Sequence, residues 1–283
     1  MAGTAAASDP TPLAGKRVAL LGAGKMGGII LRALLDQQLL DPALTCATVH
    51  QADLPRALAQ NFNVGIGTDN VAAVRGADVV LLCVKPQQVQ QVLEGVRHVV
   101  TAAQLFISVA ASVPTEFLEK ALGGNIPVIR AMPNTPCMVR KGMVALCKGT
   151  CASDAQVQIA QTVFDTVGRT VVVEEKYMDA ITGLSASGPA YIYIILEALA
   201  EGGVKVGLPR ELATLLAAQT TMGAASVVLE TGHHPALLKD EVTTPAGCTV
   251  DGIMELEEGK LRVTLIKAVV KATQRARELM FGH

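Results

Sequence analysis

The stretch R-V-A-L-L-G-A-G-K-M-G, residues 17–27, decides the fold. Its first half carries a short apolar run, Val18 to Leu21, of the kind buried on both faces of a parallel sheet. Its second half, Gly22-Ala23-Gly24-Lys25-Met26-Gly27, fits G-x-G-x-x-G. In that pattern the first glycine allows a tight turn, the second lets backbone approach a pyrophosphate, and the third lets a helix pack on the strand. Ile29, Ile30, Ala33 and Leu34 then recur at helical spacing. The bare pattern also fits a structural turn rich in glycine. Its place after a strand and at the mouth of a helix points instead to dinucleotide binding by Gly22, Ala23, Gly24, Lys25, Met26 and Gly27.

Outward from this unit, strands are expected at 44–49, 64–67, 77–84, 105–109, 128–132, 143–147 and 170–173. Helices are expected at 54–61, from Pro86 with Val89, Val92, Leu93 and Val96 on one face, at 114–122 and at 154–167. This alternation predicts an α/β fold, a doubly wound and mostly parallel sheet with helices on both faces. Ligands of such sheets lie along the carboxyl ends of the strands, which places Val84, Lys85, Pro86, Ala110 and Ala111 at the cofactor. The end of the second strand separates the two nicotinamide dinucleotides. NAD sites usually carry an acid about 20 residues beyond the glycines. This chain reads Cys46-Ala47-Thr48-Val49-His50-Gln51, with no carboxylate before Asp53. Thr48 and His50, with Arg56, could meet a 2′-phosphate, and Val49 lies between them at the cofactor, so NADPH is favoured, with NADH as the alternative.

After Glu175 the strands stop. Residues 177–205 read as helix with a break near Ser187-Gly188-Pro189, and Pro209 opens a helix to about Glu230. A short helix at 236–241, a polar turn and two more helices complete the chain. The expected division is a disordered start at 1–14, a Rossmann dinucleotide-binding domain at 15–174 and an all-α dimerisation and substrate-binding domain at 175–283. Residues 180–196 and 212–229 contain no Asp, Glu, Lys or Arg. Gly183, Gly188 and Pro189 leave the unbroken apolar part of the first too short to span a bilayer. Helices apolar on most faces are buried on most faces, and one small domain can hardly cover both. A second copy of the chain is the expected cover.

The turn at 243–249, T-T-P-A-G-C-T, leads into an amphipathic run. Thr244, Gly247 and Thr249 offer hydroxyls and backbone N–H groups at a helix mouth, a site suited to a carboxylate. An ordinary helix start would also use Thr and Gly, but beside a cofactor site the pair points to a reductase of a small carboxylate. The formal net charge of -1 gives no basic field for nucleic acid or an anionic membrane. The six cysteines show no C-x-x-C, and His233-His234 has no third partner at suitable spacing. We therefore expect reduced thiols, a cytoplasmic protein and no metal. The first fourteen residues lack the features of a signal or transit peptide.

Taken together, G-A-G-K-M-G (22–27), C-V-K-P (83–86), M-P-N-T-P (132–136), T-G-L-S-A-S-G-P-A-Y (182–191), G-G-V-K-V-G-L-P (202–209) and V-T-T-P-A-G-C-T-V-D-G (242–252) resemble the pyrroline-5-carboxylate reductases. The resemblance runs from about Arg17 to Leu279. It implies hydride transfer from the nicotinamide to the C=N carbon of 1-pyrroline-5-carboxylate, giving L-proline, the last step of proline synthesis. It implies a homodimer interlocked through the helical domain, with decamers as a further assembly. The substrate carboxylate would be held at Ala246, Gly247, Cys248 and Thr249. The Val242 carbonyl and Thr249, the catalytic candidate, would lie near the ring nitrogen. Glu175 matches a position that touches the ligand, and Asn70 one that touches the cofactor ribose. Many members carry Ser-Pro-Gly-Gly where this chain has Thr244-Pro245-Ala246-Gly247, so Ala246 loses backbone freedom. A hydroxyacid dehydrogenase would need a base, typically a Lys one turn after a Gly-rich opening, but Pro189-Ala190-Tyr191-Ile192 follow Gly188. A non-catalytic dinucleotide sensor would explain Gly22 to Gly27 but not the cradle at 244–249.

Overall fold

The computed structural model describes residues 11–59 and 62–281. The first part of the chain alternates strand and helix. In order come β1 (Val18–Leu21), α1 (Lys25–Asp36), β2 (Thr45–Thr48), α2 (Leu54–Ala59), β3 (Gly65–Gly67), α3 (Asn70–Val74), β4 (Val79–Leu82) and α4 (Pro86–Val96). Then follow β5 (Leu105–Ser108), α5 (Thr115–Leu122), β6 (Val128–Met132), β7 (Gly142–Lys148), α6 (Asp154–Asp165) and β8 (Gly168–Val172). One sheet takes all eight strands in the order β3-β2-β1-β4-β5-β6-β7-β8. The chain winds outward from β1 in one direction and from β4 in the other, so the switch point lies between them.

Adjacent residues on these strands serve opposite faces. Leu20, Leu81 and Ile107 belong to one core with Ile30, Leu31 and Phe164, whereas Leu21, Leu82 and Phe106 belong to the other with Val89, Leu93 and Leu118. The period of two in a strand sorts each neighbour to the opposite layer, so a strand covered on both sides reads as an unbroken apolar run. At about 1.5–3 kcal/mol per fully buried large aliphatic side chain, these two layers stabilise the whole sheet.

Three local features differ from the sequence expectation. The helix α3 is absent from it, because five residues are too few to show a period; its signal is Asp69, which caps it by accepting from the Val71 and Ala72 N–H groups at 2.9 and 3.0 Å. The strand β7 runs antiparallel to β6, with Ile129 opposite Lys148. Its connection is a 3-10 turn, Thr135–Val139, too short for the crossover that a parallel partner needs. Leu13, within the stretch expected to be disordered, is 2% exposed and packs in the first core; residues 1–10 of that stretch lie outside the described residues, as do Gln60 and Asn61 of the helix expected at 54–61.

From Glu175 onward the chain is helical: α7 (Met178–Ile181), a π-helical turn (Thr182–Ala186), α8 (Gly188–Lys205), α9 (Arg210–Thr231), α10 (Pro235–Val242), α11 (Cys248–Glu258) and α12 (Leu261–Phe281). The break expected near Ser187 is present as a bend between the π turn and α8, with Ser187 as the N-cap of α8 and Pro189 in its first turn, inside the longer helical stretch Glu175–Lys205. That run and Arg210–Thr231 are long and apolar enough, by length and composition, to cross a membrane. Two compact units result. One runs to Ala186 and takes back the chain from Thr273, and the other is Ser187–Ala272. Within the second, α8 and α9 pack so closely that a Cβ on Gly203 would lie 2.9 Å from the Ala213 Cβ. Their remaining faces leave Ile194, Leu215, Met222 and Leu229 exposed in the single chain.

The seat of α1 follows from Gly27. A Cβ there would lie 2.3 Å from the Gly22 carbonyl oxygen and 3.0 Å from the Cys83 Cβ. Gly27→Ala is expected to cost about 1–3 kcal/mol, the range for overpacking a tight contact. Thermal unfolding checks this, at roughly 2–4 °C for each kcal/mol. An unchanged Tm would mean that α1 is not held by this contact.

Candidate active site

The glycine turn is fixed from one side by β2. Gly22 takes φ +95°, a conformation that favours glycine, and its N–H and that of Ala23 both donate to the Thr48 carbonyl, at 2.9 and 2.8 Å. A Cβ on Gly22 would come within 2.9 Å of the Cys83 carbonyl oxygen. Gly24 differs from both: nothing lies within 4 Å of where its Cβ would be. It is the N-cap of α1, and no side chain caps that terminus. The first N–H groups of the helix, with the positive end of its dipole, therefore border open space. A pyrophosphate fits this cradle.

A cleft of about 800 Å³ runs past it, lined by Gly22, Gly24, Thr48, Val49, His50, Asn70, Val84 and Lys85. Eight of the residues expected at the cofactor thus share one wall. Ala23 and Lys25 line a neighbouring cavity of about 1000 Å³, which Gly24 and Lys85 border as well. Pro86 opens α4 directly after Lys85. Met26 packs against the first core, and Ala110 is buried in the second. Ala111 packs against a small core that includes Met132 and Met178, as do Ile181 of α7 and Ala186 of the π turn. The side chain of Arg56 lies outside what is described. Thr68 and Gln88 also line the cleft, as does Asp53, the first carboxylate after β2. Thr68 was legible only through its place after a strand, since it directly follows Gly67, the last residue of β3.

Cys83 borders the same cleft, but burial pushes its thiol up to about 12. Cys147 is likewise pushed to about 12, by burial first and then by the Glu175 charge. Both stay protonated at neutral pH and are packing groups, not nucleophiles.

Glu175 is tied into the first unit. Its carboxylate accepts from the Thr115 N–H at 2.8 Å, from the Thr115 hydroxyl, and from Arg130 Nη1 at 3.1 Å. Arg130 is 2% exposed, and its Nη2 stands 3.9 Å from Asp179. Its Nε and Nη2 have no hydrogen-bond partner among the described residues. Sequence reasoning missed Arg130, although the signal was present: a cation in the middle of a buried strand, V-I-R-A-M, requires an acid nearby. Asn134, in the turn after β6, accepts from the Met143 N–H at 3.0 Å and donates to the Ser185 carbonyl at 3.2 Å, linking the turn to the π helix.

In the second unit, Val242 ends α10 and a turn follows in which the Gly247 N–H donates to the Thr244 carbonyl at 3.0 Å. Gly247 is the N-cap of α11, again without a side-chain cap, and Cys248 and Thr249 are its first residues. A Cβ on Gly247 would lie 2.4 Å from the Thr244 hydroxyl oxygen. Ala246 takes φ +57°, the left-handed region, at a cost of roughly 1–2 kcal/mol for a residue with a Cβ. Thr244 is exposed, Thr249 is half-buried, and the N–H groups opening α11 stand at a positive helix end.

A doubly wound sheet with an uncapped glycine turn over a long cleft defines a dinucleotide-dependent oxidoreductase. Comparison with known proteins makes this specific. A family model described as pyrroline-5-carboxylate reductase dimerisation matches residues 175–279, and one described as NADP oxidoreductase, coenzyme F420-dependent, matches residues 17–112. A pyrroline-5-carboxylate reductase of Arabidopsis thaliana is 42% identical over 270 residues, covering 95% of this chain and 98% of that protein. Among solved structures, a pyrroline-5-carboxylate reductase from Coxiella burnetii superposes with a TM-score of 0.86 at 37% identity, over 93% of this chain and 98% of that one. One from Plasmodium falciparum with NADP bound gives 0.85 at 26% identity, over 94% and 98%. The chain belongs to the pyrroline-5-carboxylate reductase family.

The two glycines of the turn separate fold from ligand. Gly24→Ala has room within the protein and is expected to keep the Tm, yet to weaken NADP⁺ binding about tenfold or more by keeping the phosphates off the backbone. Calorimetric titration checks it, and undiminished affinity would remove the turn from the cofactor site.

Proposed function

We propose that this protein reduces 1-pyrroline-5-carboxylate to L-proline with NADPH, the last step of proline biosynthesis. The observation that carries the proposal is the extent of the match, 42% identity to a named reductase over 95% of the chain. The uncapped cradle at Gly24 and the uncapped turn at Gly247 support it.

The dinucleotide supplies a hydride when bound. Gly22, Ala23, Gly24, Lys25, Met26 and Gly27 hold its phosphates, with Thr48, Val49, His50 and Asn70 at the adenosine end and Val84, Lys85, Pro86, Ala110 and Ala111 along the sheet. The carbon of a protonated cyclic imine is already electrophilic, so these residues have to place and shield it; no strongly perturbed acid is required. Thr244, Ala246, Gly247 and Cys248 hold the substrate carboxylate through the N–H groups and hydroxyls that open α11. Thr249 and the Val242 carbonyl orient the ring nitrogen and its proton. Glu175, fixed by Thr115 and Arg130, presents its remaining carboxylate edge to the ligand.

The working unit in this proposal is a homodimer in the cytoplasm, with a decamer as the larger assembly. A second copy supplies the apolar cover that the α8 and α9 faces lack.

Thr249→Ala is expected to lower kcat/KM for 1-pyrroline-5-carboxylate by roughly 10- to 100-fold, the size of one or two directed hydrogen bonds, with NADPH affinity unchanged. A variant with wild-type kcat/KM would move the carboxylate site elsewhere. Light scattering should find at least a dimer, and Leu215→Asp should shift it toward monomer by placing an unpaired charge in the covered face. An active monomer at assay concentration would contradict the assembly.

A further inference from the structure

Thr48 serves the dinucleotide cleft twice. It ends β2 and is 3% exposed. Its carbonyl holds the glycine turn through the Gly22 and Ala23 N–H groups. Its hydroxyl donates to Asn70 Oδ1 at 2.6 Å. Asn70 opens α3 and lines the cleft beside Thr48 and His50.

The two ends of an asparagine amide are nearly equal in size and opposite in polarity, so what touches them decides which way the group turns. Among the described residues the Thr48 hydroxyl has no other acceptor. If the amide turned over, a buried hydroxyl proton would be left without a partner, at the cost of its desolvation. The oxygen of Asn70 is therefore held inward, and the NH₂ end is left for the cleft. His50 is constrained as well, since its Nδ1 accepts from the Ala52 N–H at 3.3 Å and only the Nε2 side of the ring remains.

We propose that Thr48 is a positioning residue for cofactor selectivity: its hydroxyl locks the Asn70 amide with the NH₂ group toward the nucleotide, and that donor favours a phosphorylated ribose over a plain one. In doubly wound sheets the end of the second strand faces the adenosine ribose. A phosphate offers only acceptors and gains from every fixed donor, whereas a ribose hydroxyl both donates and accepts and can meet either end of an amide. The lock thus matters more for NADP than for NAD. This role rests on the proposed use of NADPH at the cleft.

The test uses the full chain and direct binding. Affinities for NADP⁺ and NAD⁺ are measured by calorimetry for the wild type, Thr48→Val, Thr48→Ser and Asn70→Ala, with the Tm of each. Thr48→Val, which keeps the shape and removes the hydroxyl, is expected to weaken NADP⁺ by roughly tenfold and NAD⁺ by less than about threefold. Thr48→Ser should restore NADP⁺ binding, and adding Thr48→Val to Asn70→Ala should cost nothing further. Equal losses for both dinucleotides, or no rescue by serine, would overturn the proposal and leave Thr48 a structural residue. Should Thr48→Val fail to fold, Thr48→Cys decides: it keeps a small polar side chain but replaces the hydroxyl with a much weaker donor and adds no charge, so NADP⁺ should be weakened selectively, and an unchanged ratio of the two affinities would overturn the proposal. A wild type that binds neither dinucleotide would overturn the reading of the cleft itself, and this role with it.

Discussion

The closeness of α1 to the end of β1 governs everything else in the first unit. Gly27 sits against the Gly22 carbonyl with no room for a methyl group. That contact brings the N-terminus of α1 over the carboxyl ends of β1 and β4, where the sheet changes direction. The switch point supplies a crevice, and the uncapped helix supplies its polarity. The Thr48 carbonyl then fixes the turn from the β2 side, so three segments distant in sequence define one cradle.

Much of this was legible in the sequence because the constraints are local. A strand buried on both faces has to be apolar throughout, and residues 18–21 and 79–82 are. A tight turn under a helix has to lack side chains, and Gly22 and Gly27 do. What was not legible depends on partners far along the chain. Arg130 and Glu175 are 45 positions apart, and only the fold brings them within 3.1 Å. The direction of β7 depends on how the turn at Thr135–Val139 is spent, and α3 is too short to leave a period. The unusual φ of Ala246 was foreshadowed by the loss of a glycine there, but its sign required the backbone.

The helical part obeys a different constraint. Its residues are apolar without being covered: Leu215 is 64% exposed and Ile194 67% in the single chain. The sequence placed a helix break at Ser187-Gly188-Pro189, where glycine and proline coincide. The structure keeps that break, a bend at Ser187 before α8 starts at Gly188, and widens the helix into a π turn just ahead of it; Asn134 ties that turn to the β6–β7 connection through Ser185. Widened turns of this kind are frequent at functional sites. Ala186 of the same turn packs on the small core that Ala111 also packs on, at the end of the sheet where the cofactor is proposed to lie.

The central claim is that the dinucleotide and the carboxylate cradle serve one reaction on a cyclic imine. It is tested most directly by following NADPH oxidation with 1-pyrroline-5-carboxylate, with a 2-keto acid and with no substrate, and by assaying L-proline in each. Oxidation is expected with the imine alone, matched mole for mole by L-proline. Oxidation with the keto acid instead, or NADPH consumption without L-proline, would contradict it.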